Sequence, residues 1–176
     1  MRCRVKGLAA VAVAAAVTAG CSQTVTGAAE RARPAAPDPD RNYGYVDDRC
    51  GLLTDETIQQ TLGADSVVRP YSGAVCQYVL AGKAGLTDVV FSWFETGSFD
   101  RERGLAAQRG ATITDTDIER HPAFLASLAS KNPSCSATAA AGTGVVAWWV
   151  QFRPQTGADP CQAAEKLLAA TLSADL

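Results

Sequence analysis

The sequence predicts an α+β domain in which three helices pack on a mainly antiparallel sheet, in the order α-β-β-β-α-β-β-β-α, with two disulfides. Apolar and aromatic stretches of strand length follow one another across short turns that contain Gly, which is typical of hairpins rather than of parallel crossovers. Helix start and stop signals occur in only three segments, so helices are too few for a doubly wound parallel fold.

The chain begins with a segment typical of a bacterial lipoprotein signal peptide, which we predict to cover residues 1–20. Arg2, Arg4 and Lys6 form a positive region ahead of an apolar region at residues 7–17. The apolar region is shorter than the roughly 20 residues that a transmembrane helix needs. The segment is therefore predicted to direct export rather than to span the membrane.

Cys21 is the predicted lipidation site. The small residues Ala19 and Gly20 precede it, as in a lipobox, where the cysteine is acylated and becomes the new N-terminus. Thr18 departs from this pattern, because an aliphatic residue is usual there, and an ordinary secretory signal or an uncleaved anchor are the alternatives. Two or more acyl chains, palmitate among them, would hold a protein firmly where one chain binds only marginally. We therefore expect a protein anchored to the cell membrane on its extracytoplasmic side.

Residues 21–47 are predicted to form the acylated N-terminus and a flexible linker, followed by a single domain at residues 48–176. The linker contains Pro34, Pro37 and Pro39 and shows neither a helical nor an alternating apolar period. A flexible chain of this length has an r.m.s. span of about 30 Å. The linker is thus predicted to hold the domain away from the membrane.

The charge of the exported chain argues against nucleic acid as a partner. Loss of Arg2, Arg4 and Lys6 leaves 13 of the 16 Lys and Arg against 18 Asp and Glu, a net charge near −5. Nucleic-acid-binding domains carry clustered positive charge instead.

Four cysteines remain for the domain once Cys3 leaves with the signal peptide and Cys21 is acylated. They are Cys50, Cys76, Cys135 and Cys161. An even number in an exported chain favours two disulfides, for which three connectivities exist. Sequential pairing is favoured, since both sequential pairs are 26 residues apart. Zinc is the alternative, but the sequence has no CxxC pair.

Three helices are predicted from their caps. The first runs from Thr54 as N-cap to Gly63 as stop, and the second covers residues 98–109. The third opens with Asp159 as N-cap and Pro160 in the first turn.

The strands between these helices carry β-branched and aromatic residues. They are predicted at residues 67–71, 75–80, 88–95, 112–119, 135–140 and 145–152. A cysteine-bearing strand, a turn, an aromatic strand and a helix follow one another twice, which leaves an internal duplication and a chance similarity of topology as alternatives.

Two of these strands are apolar on both faces. Alternation along residues 145–152 places Trp148 and Trp149 on opposite faces, and it separates Trp93 from Phe94 in the same way. Either helices cover both faces of the sheet, or one face, with Trp93 or Trp149, lines a groove for an apolar or glycan ligand or for a protein.

Arg101 and Arg103 lie near the start of the second predicted helix. Cations are mildly unfavourable at the positive end of the helix dipole, so the two arginines are expected to have another role at this position. A docking patch for an envelope protein is one such role, and a solvated or internally paired helix face is the other.

We predict no catalytic residue, no metal site and no cofactor, and hence no enzyme. His121 is the only histidine, and the motifs of serine hydrolases, zinc proteases and phosphate-binding loops do not occur. Asp115, Asp117 and Glu119 alternate along one predicted strand, which favours a charged edge strand over a calcium site.

Six short motifs stand within or beside the four-cysteine frame. They are Phe91-Ser92-Trp93-Phe94, Gly97-Ser98, Arg101-Glu102-Arg103, Cys50-Gly51, Cys76-Gln77-Tyr78 and Asp159-Pro160-Cys161. Together they resemble the mycobacterial LprB/LprC-like lipoproteins and the wider actinobacterial lipoprotein family of unknown function. The resemblance implies residence in the cell envelope and cysteines paired in disulfides, and it brings no established activity.

The expected function is therefore a non-catalytic binding or accessory module for an envelope protein, anchored to the membrane by lipid. A carrier or sensor of an apolar or glycan ligand is the first alternative. A hydrolase is the second, although no convincing set of catalytic residues supports it.

Overall fold

A computed structural model describes residues 38–83, 85–153 and 157–174. The predicted signal peptide, Cys21 and most of the predicted linker lie outside the described residues. The helices are α1 (Asp55–Leu62), α2 (Phe99–Gln108) and α3 (Pro160–Ser173). The strands are β1 (Tyr45–Val46), β2 (Arg49–Cys50), β3 (Ser66–Tyr71), β4 (Val75–Gly82), β5 (Gly85–Phe94), β6 (Thr112–Ile118), β7 (His121–Leu128), β8 (Ser134–Ala141) and β9 (Gly144–Arg153).

The described chain forms one seven-stranded sheet in the order β3-β4-β5-β9-β8-β7-β6, while β1 and β2 form a separate two-stranded hairpin. Every pair of neighbouring strands is antiparallel. The predicted α+β class, with helices on a mainly antiparallel sheet, is confirmed. None of the helices in the described ranges is both long and apolar enough to cross a membrane.

The predicted caps of α1 and α3 are confirmed. Thr54 accepts a hydrogen bond from the backbone N–H of Thr57, and Gly63 ends α1 in the left-handed conformation with φ 64°. Asp159 accepts from the N–H of Cys161 at 2.8 Å, with Pro160 in the first turn of α3.

Besides the short strands β1 and β2, which precede α1, strand β7 has no counterpart in the predicted order. It pairs with β6 and β8, so four strands rather than three follow α2. The turn from β6 to β7 consists of Glu119 and Arg120, whose φ angles are 48° and 65°. Such two-residue turns normally carry Gly, Asn or Asp, and the absence of these residues removed the usual hairpin signal.

The inner face of the sheet, which we define as the face that carries Val89, Phe91 and Trp93, is covered by helices. α3 packs across β8 and β9, and α1 packs against β3 and α3. The largest fully buried side chain, Trp148, belongs to this face, and its ring lies 5.0 Å from that of Phe91. The main hydrophobic core therefore lies between the inner face and the two helices.

Both predicted disulfides are present, and the cysteines pair sequentially. Cys50 bonds to Cys76 and joins the β1–β2 hairpin to β4. Cys135 bonds to Cys161 and joins β8 to the first turn of α3. Each disulfide thus joins an element outside the seven-stranded sheet to one of its strands.

The segment at residues 38–50, here called the N-terminal strap, is part of the folded domain. Tyr43 is fully buried, and its ring lies 5.6 Å from that of Trp93. Gly142 permits this close passage, because a Cβ there would overlap the carbonyl oxygen of Arg41. Residues 38–47 were predicted as linker because they lack an apolar period, and their packing places the start of the domain ahead of residue 48.

Replacing Leu168 by Ala should lower the free energy of unfolding by about 2 to 5 kcal/mol, because its fully buried side chain would leave a cavity under α3. Urea denaturation measures this change. Glu165→Ala on the exposed side of the same helix is the control and should stay within about 0.5 kcal/mol of the parent. Equal effects of the two variants would contradict the packing of α3 on the sheet.

Candidate binding surface

His121 lies beneath the N-terminal strap and not in a cleft. It is 2% exposed; Nδ1 is 2.9 Å from the carbonyl oxygen of Ala140, and Nε2 is 3.4 Å from the carboxylate of Asp38. The hydroxyl of Tyr43 donates to the same carboxylate. Burial, and then the hydrogen bond to Asp38, raise the pKa of the Tyr43 phenol above its ordinary value. These contacts give His121 a role in holding the strap.

Arg41 joins the strap to the end of α3. Its guanidinium donates to the carbonyl oxygen of Ala174 and lies 5.3 Å from the ring centre of Tyr43. Cations over aromatic rings are attracted by the ring electrons, and Arg is the most frequent partner. The strap is therefore bound by polar contacts at two places that are far apart in the sequence.

A second polar cluster fixes the β1–β2 hairpin against β3 and α1. Arg69 donates to the backbone carbonyl of Asp48 at 2.7 Å and lies 3.5 Å from the carboxylate of Asp55. Burial raises the pKa of the Asp55 carboxyl and of the Tyr78 phenol, although the charge of Arg69 opposes both shifts. The hydrogen bond from Tyr45 and the charge of Arg69 lower the pKa of Asp48. This cluster holds the hairpin against β3 and α1.

Arg103 is paired within the domain. Its Nε and Nη2 donate to the two carboxylate oxygens of Asp115 at 2.7 and 2.6 Å, and these bonds raise the pKa of the guanidinium. Asp115 lies on β6, an edge strand of the sheet, as the charge pattern predicted. Arg101 is exposed on the same helix. Of the two predicted docking arginines, Arg101 therefore remains available, and Arg103 joins α2 to the sheet.

Metal-ligating side chains do not gather in the described part of the chain, where no group of three or more His, Cys, Asp or Glu could hold an ion.

Two hollows of about 300 and 240 Å³ flank Phe152. Their walls consist of turn and helix-end residues around Leu62, with Lys83 beside one and Lys166 beside the other.

The two tryptophans of the predicted ligand face lie on opposite faces of the sheet. Trp93 is 8% exposed on the inner face and packs against Tyr43, so it cannot line an accessible groove. Trp149 lies on the other face, half-buried, between Val90 and Ser136 of the neighbouring strands. The prediction of a groove beside one tryptophan therefore narrows to Trp149.

The outer face, which we define as the face that carries Val90, Phe94 and Trp149, is covered by the described residues only at one side. α2 contacts β6 and β7, where Phe99 packs on Phe124 at 5.3 Å between ring centres. Five of the seven large hydrophobic side chains that are exposed among the described residues belong to this face. They are Val68, Tyr71, Leu86, Phe94 and Leu128.

A groove of about 220 Å³ runs between α2 and the uncovered part of the outer face. Its apolar lining includes Phe94, Phe124 and Trp149, and Glu102 and Arg109 stand on the α2 side. Three hydroxyl side chains from the strands line it as well: Ser92, Ser136 and Thr138. The sequence indicated Trp149 but not these hydroxyls, because only the strand register places them on the same face beside it.

Comparison with known proteins identifies the family. A sequence model of the family described as "Protein of unknown function (DUF3558)" matches residues 16–174. The chain belongs to this family. The match includes Cys21 and the whole described domain, so DUF3558 covers both the predicted lipidation site and the fold.

Proteins that are similar in sequence to this DUF3558 chain are named as lipoproteins. Lipoprotein LprB of Mycobacterium leprae is 25% identical over 181 residues, 95% of each chain. LprB of Mycobacterium bovis and of Mycobacterium tuberculosis are 25% identical over 156 residues, 85% of this chain and 83% of theirs. No solved structure matches the chain significantly. The predicted resemblance to LprB-like lipoproteins of unknown function is confirmed.

Tyr43→Ala should release the strap of this DUF3558 domain, because it removes a fully buried ring and its hydrogen bond to Asp38. A loss of about 3 kcal/mol should raise the rate of trypsin cleavage after Arg41 about 100-fold where cleavage follows local opening. Mass spectrometry of the digest identifies the cut. Tyr45→Ala is the matched control, since Tyr45 is 41% exposed. Resistance of both variants to trypsin would show that Tyr43 does not hold the strap.

Proposed function

We propose that this DUF3558 protein is a lipid-anchored component of the cell envelope that binds an envelope protein through its outer face and catalyses no reaction. The observation that carries the proposal is the asymmetry of the sheet. The inner face is covered by α1, α3 and the strap, whereas α2 leaves most of the outer face without cover from the described chain.

The anchor is supported by the sequence and by the relatives. The predicted export signal at residues 1–20 and the predicted lipobox at Cys21 lie where a lipoprotein carries them, and the LprB relatives are named lipoproteins. Two disulfides in one domain fit an oxidising compartment outside the cytoplasm. In this proposal the linker from Cys21 ends at about residue 37, where the strap begins.

The composition of the outer face supports a protein partner. Monomeric proteins rarely expose large contiguous apolar patches, and protein interfaces combine an aromatic centre with a polar rim. On the outer face Trp149 and Val90 lie at the centre, and an ion pair between Asp88 and Arg153, at 2.5 Å, lies at the side. Gln77 continues this polar margin on β4.

The two alternative functions, a carrier or sensor of a small ligand and a hydrolase, have less support. Pockets for small molecules usually measure about 300 to 1,000 Å³, whereas the outer-face groove measures about 220 Å³ and the hollow of about 300 Å³ beside Phe152 only reaches the lower end of that range. A hydrolase mechanism through the only histidine would require access to His121, which is 2% exposed beneath the strap. Both observations favour a binding surface for a larger partner.

Cys21→Ala should move the full-length protein from the detergent phase to the aqueous phase in a phase-partition experiment on cell envelopes, because the thiol that receives the lipid is absent. Immunoblots of both phases measure the distribution. Cys3→Ala is the matched control and should stay in the detergent phase, since Cys3 leaves with the signal peptide. A Cys21→Ala protein that still enters the detergent phase would refute the lipid anchor.

A photoreactive phenylalanine analogue in place of Tyr71 or Phe94 should form a discrete covalent adduct with one envelope protein when intact cells are irradiated. Both side chains are exposed on the outer face, at 58% and 44%. The same analogue at Glu165, on the exposed side of α3, is the control and should give no adduct. An adduct from position 165 alone, or no adduct from any position, would refute the outer face as a surface that binds a protein partner.

A further inference from the structure

The groove on the outer face has the size of one side chain. Its volume of about 220 Å³ is too small for an acyl chain or an oligosaccharide and fits a single aromatic side chain. The bottom of the groove is well packed, because Phe124 and Val145 are each 1% exposed and belong to a hydrophobic cluster beneath α2. A pocket of this kind in an interface typically receives one anchoring residue of the partner.

The groove also offers hydrogen-bonding groups that have no use inside the domain. Thr138 is 4% exposed and lines the groove, and its hydroxyl makes no side-chain hydrogen bond within the described ranges. Ser136, on the same strand and face, pairs across from Trp149 and presents a second hydroxyl. The Thr138 hydroxyl is accessible from the groove and does not belong to the buried side-chain atoms that lack a partner, so a ligand group that bonds it takes the place of water. A purely apolar ligand would displace that water without replacing its hydrogen bond.

The charges beside the groove favour a polypeptide. Glu102 and Arg109 lie on the groove side of α2, with Ala106 between them. Two helical turns separate the two charges by about 10 Å along the axis. Neither takes part in an ion pair with another described residue. A sugar hydroxyl can hydrogen-bond to either side chain, whereas a peptide segment can in addition match both charges, with a cation and an anion on either side of an anchoring residue.

We propose that the groove is the anchor pocket for one tyrosine or tryptophan side chain of the protein partner, so this inference rests on the proposed function. The ring lies against Trp149 above Phe124, and its hydroxyl or indole N–H bonds to the hydroxyl of Thr138. Basic and acidic groups of the same segment face Glu102 and Arg109. Tyrosine and tryptophan combine an apolar ring with a polar tip, and this combination matches the lining of the groove.

The test uses full-length protein in detergent micelles, labelled with ¹⁵N only at tryptophan. The chain has three tryptophans, so three indole resonances are observed. The indole of Trp148 is buried and donates to Thr171, and that of Trp93 lies on the inner face, so both serve as internal controls. The probes are N-acetyl-tyrosinamide, N-acetyl-phenylalaninamide and methyl glucoside.

N-acetyl-tyrosinamide should shift the Trp149 resonance alone and bind about three- to tenfold more tightly than N-acetyl-phenylalaninamide, since one hydrogen bond distinguishes them. Thr138→Val, which keeps the shape of the side chain, should abolish this preference and leave the phenylalanine probe unchanged. Thr114→Val on β6, away from the groove, is the matched control and should preserve the preference.

Three results would overturn the anchor pocket: no shift of Trp149 with any probe, a shift with methyl glucoside alone, or equal binding of both aromatic probes by the parent protein. Any of these together with an adduct from Tyr71 or Phe94 would refute the pocket but leave the outer face as a binding surface. Selective binding of the tyrosine probe without an adduct would refute the protein partner and not the pocket.

Discussion

The hydrogen bond between Trp148 and Thr171 determines how the rest of the domain is arranged. The indole N–H of Trp148 donates to the Thr171 hydroxyl at 2.8 Å, and both side chains are fully buried. A buried donor needs a partner, so the position of α3 that brings Thr171 to the indole is favoured over positions that leave the indole N–H without one. Only a glycine fits at position 51 beside this pair, because a Cβ there would lie 2.7 Å from the ring of Phe91. The position of α3 thereby also determines the path of the strap towards Arg41 and the end of the helix.

Because α1, α3 and the strap cover the inner face of the sheet, the outer face is the one that can bind a partner. In β5 and β9 both faces are apolar, and the described chain supplies full cover for one of them. The pair between Arg103 and Asp115 holds α2 towards the β6 side of the sheet, so the helix leaves Val90 and Trp149 accessible. Monomeric proteins rarely expose large contiguous apolar patches, and a patch of this kind typically marks a surface that a partner covers. The groove is a result of the same arrangement, since it lies between the helix and the strands that it leaves uncovered.

Local sequence signals were sufficient where the structure depends on local contacts. Thr54, Gly63 and Asp159 define helix ends through bonds to residues nearby, and equal spacing was enough to favour the two disulfides. The strap could not be predicted in this way, because Asp38 meets His121 and Arg41 meets Ala174 across more than half of the domain. The alternation of residues predicted that Trp93 and Trp149 lie on opposite faces. It could not predict which face is covered, since that depends on where α2 and the strap pack.

Hydroxyl-radical footprinting of the anchored protein tests the central claim most directly, by comparing native envelopes with purified protein in detergent. The account predicts that Phe94, Tyr71 and Trp149 are oxidised in the purified protein and at least several-fold less in envelopes, where a partner covers the outer face. Phe91 and Trp148, on the inner face, should be protected in both. Equal oxidation of the outer-face residues in the two preparations would contradict the account, as would oxidation of the inner-face residues in either.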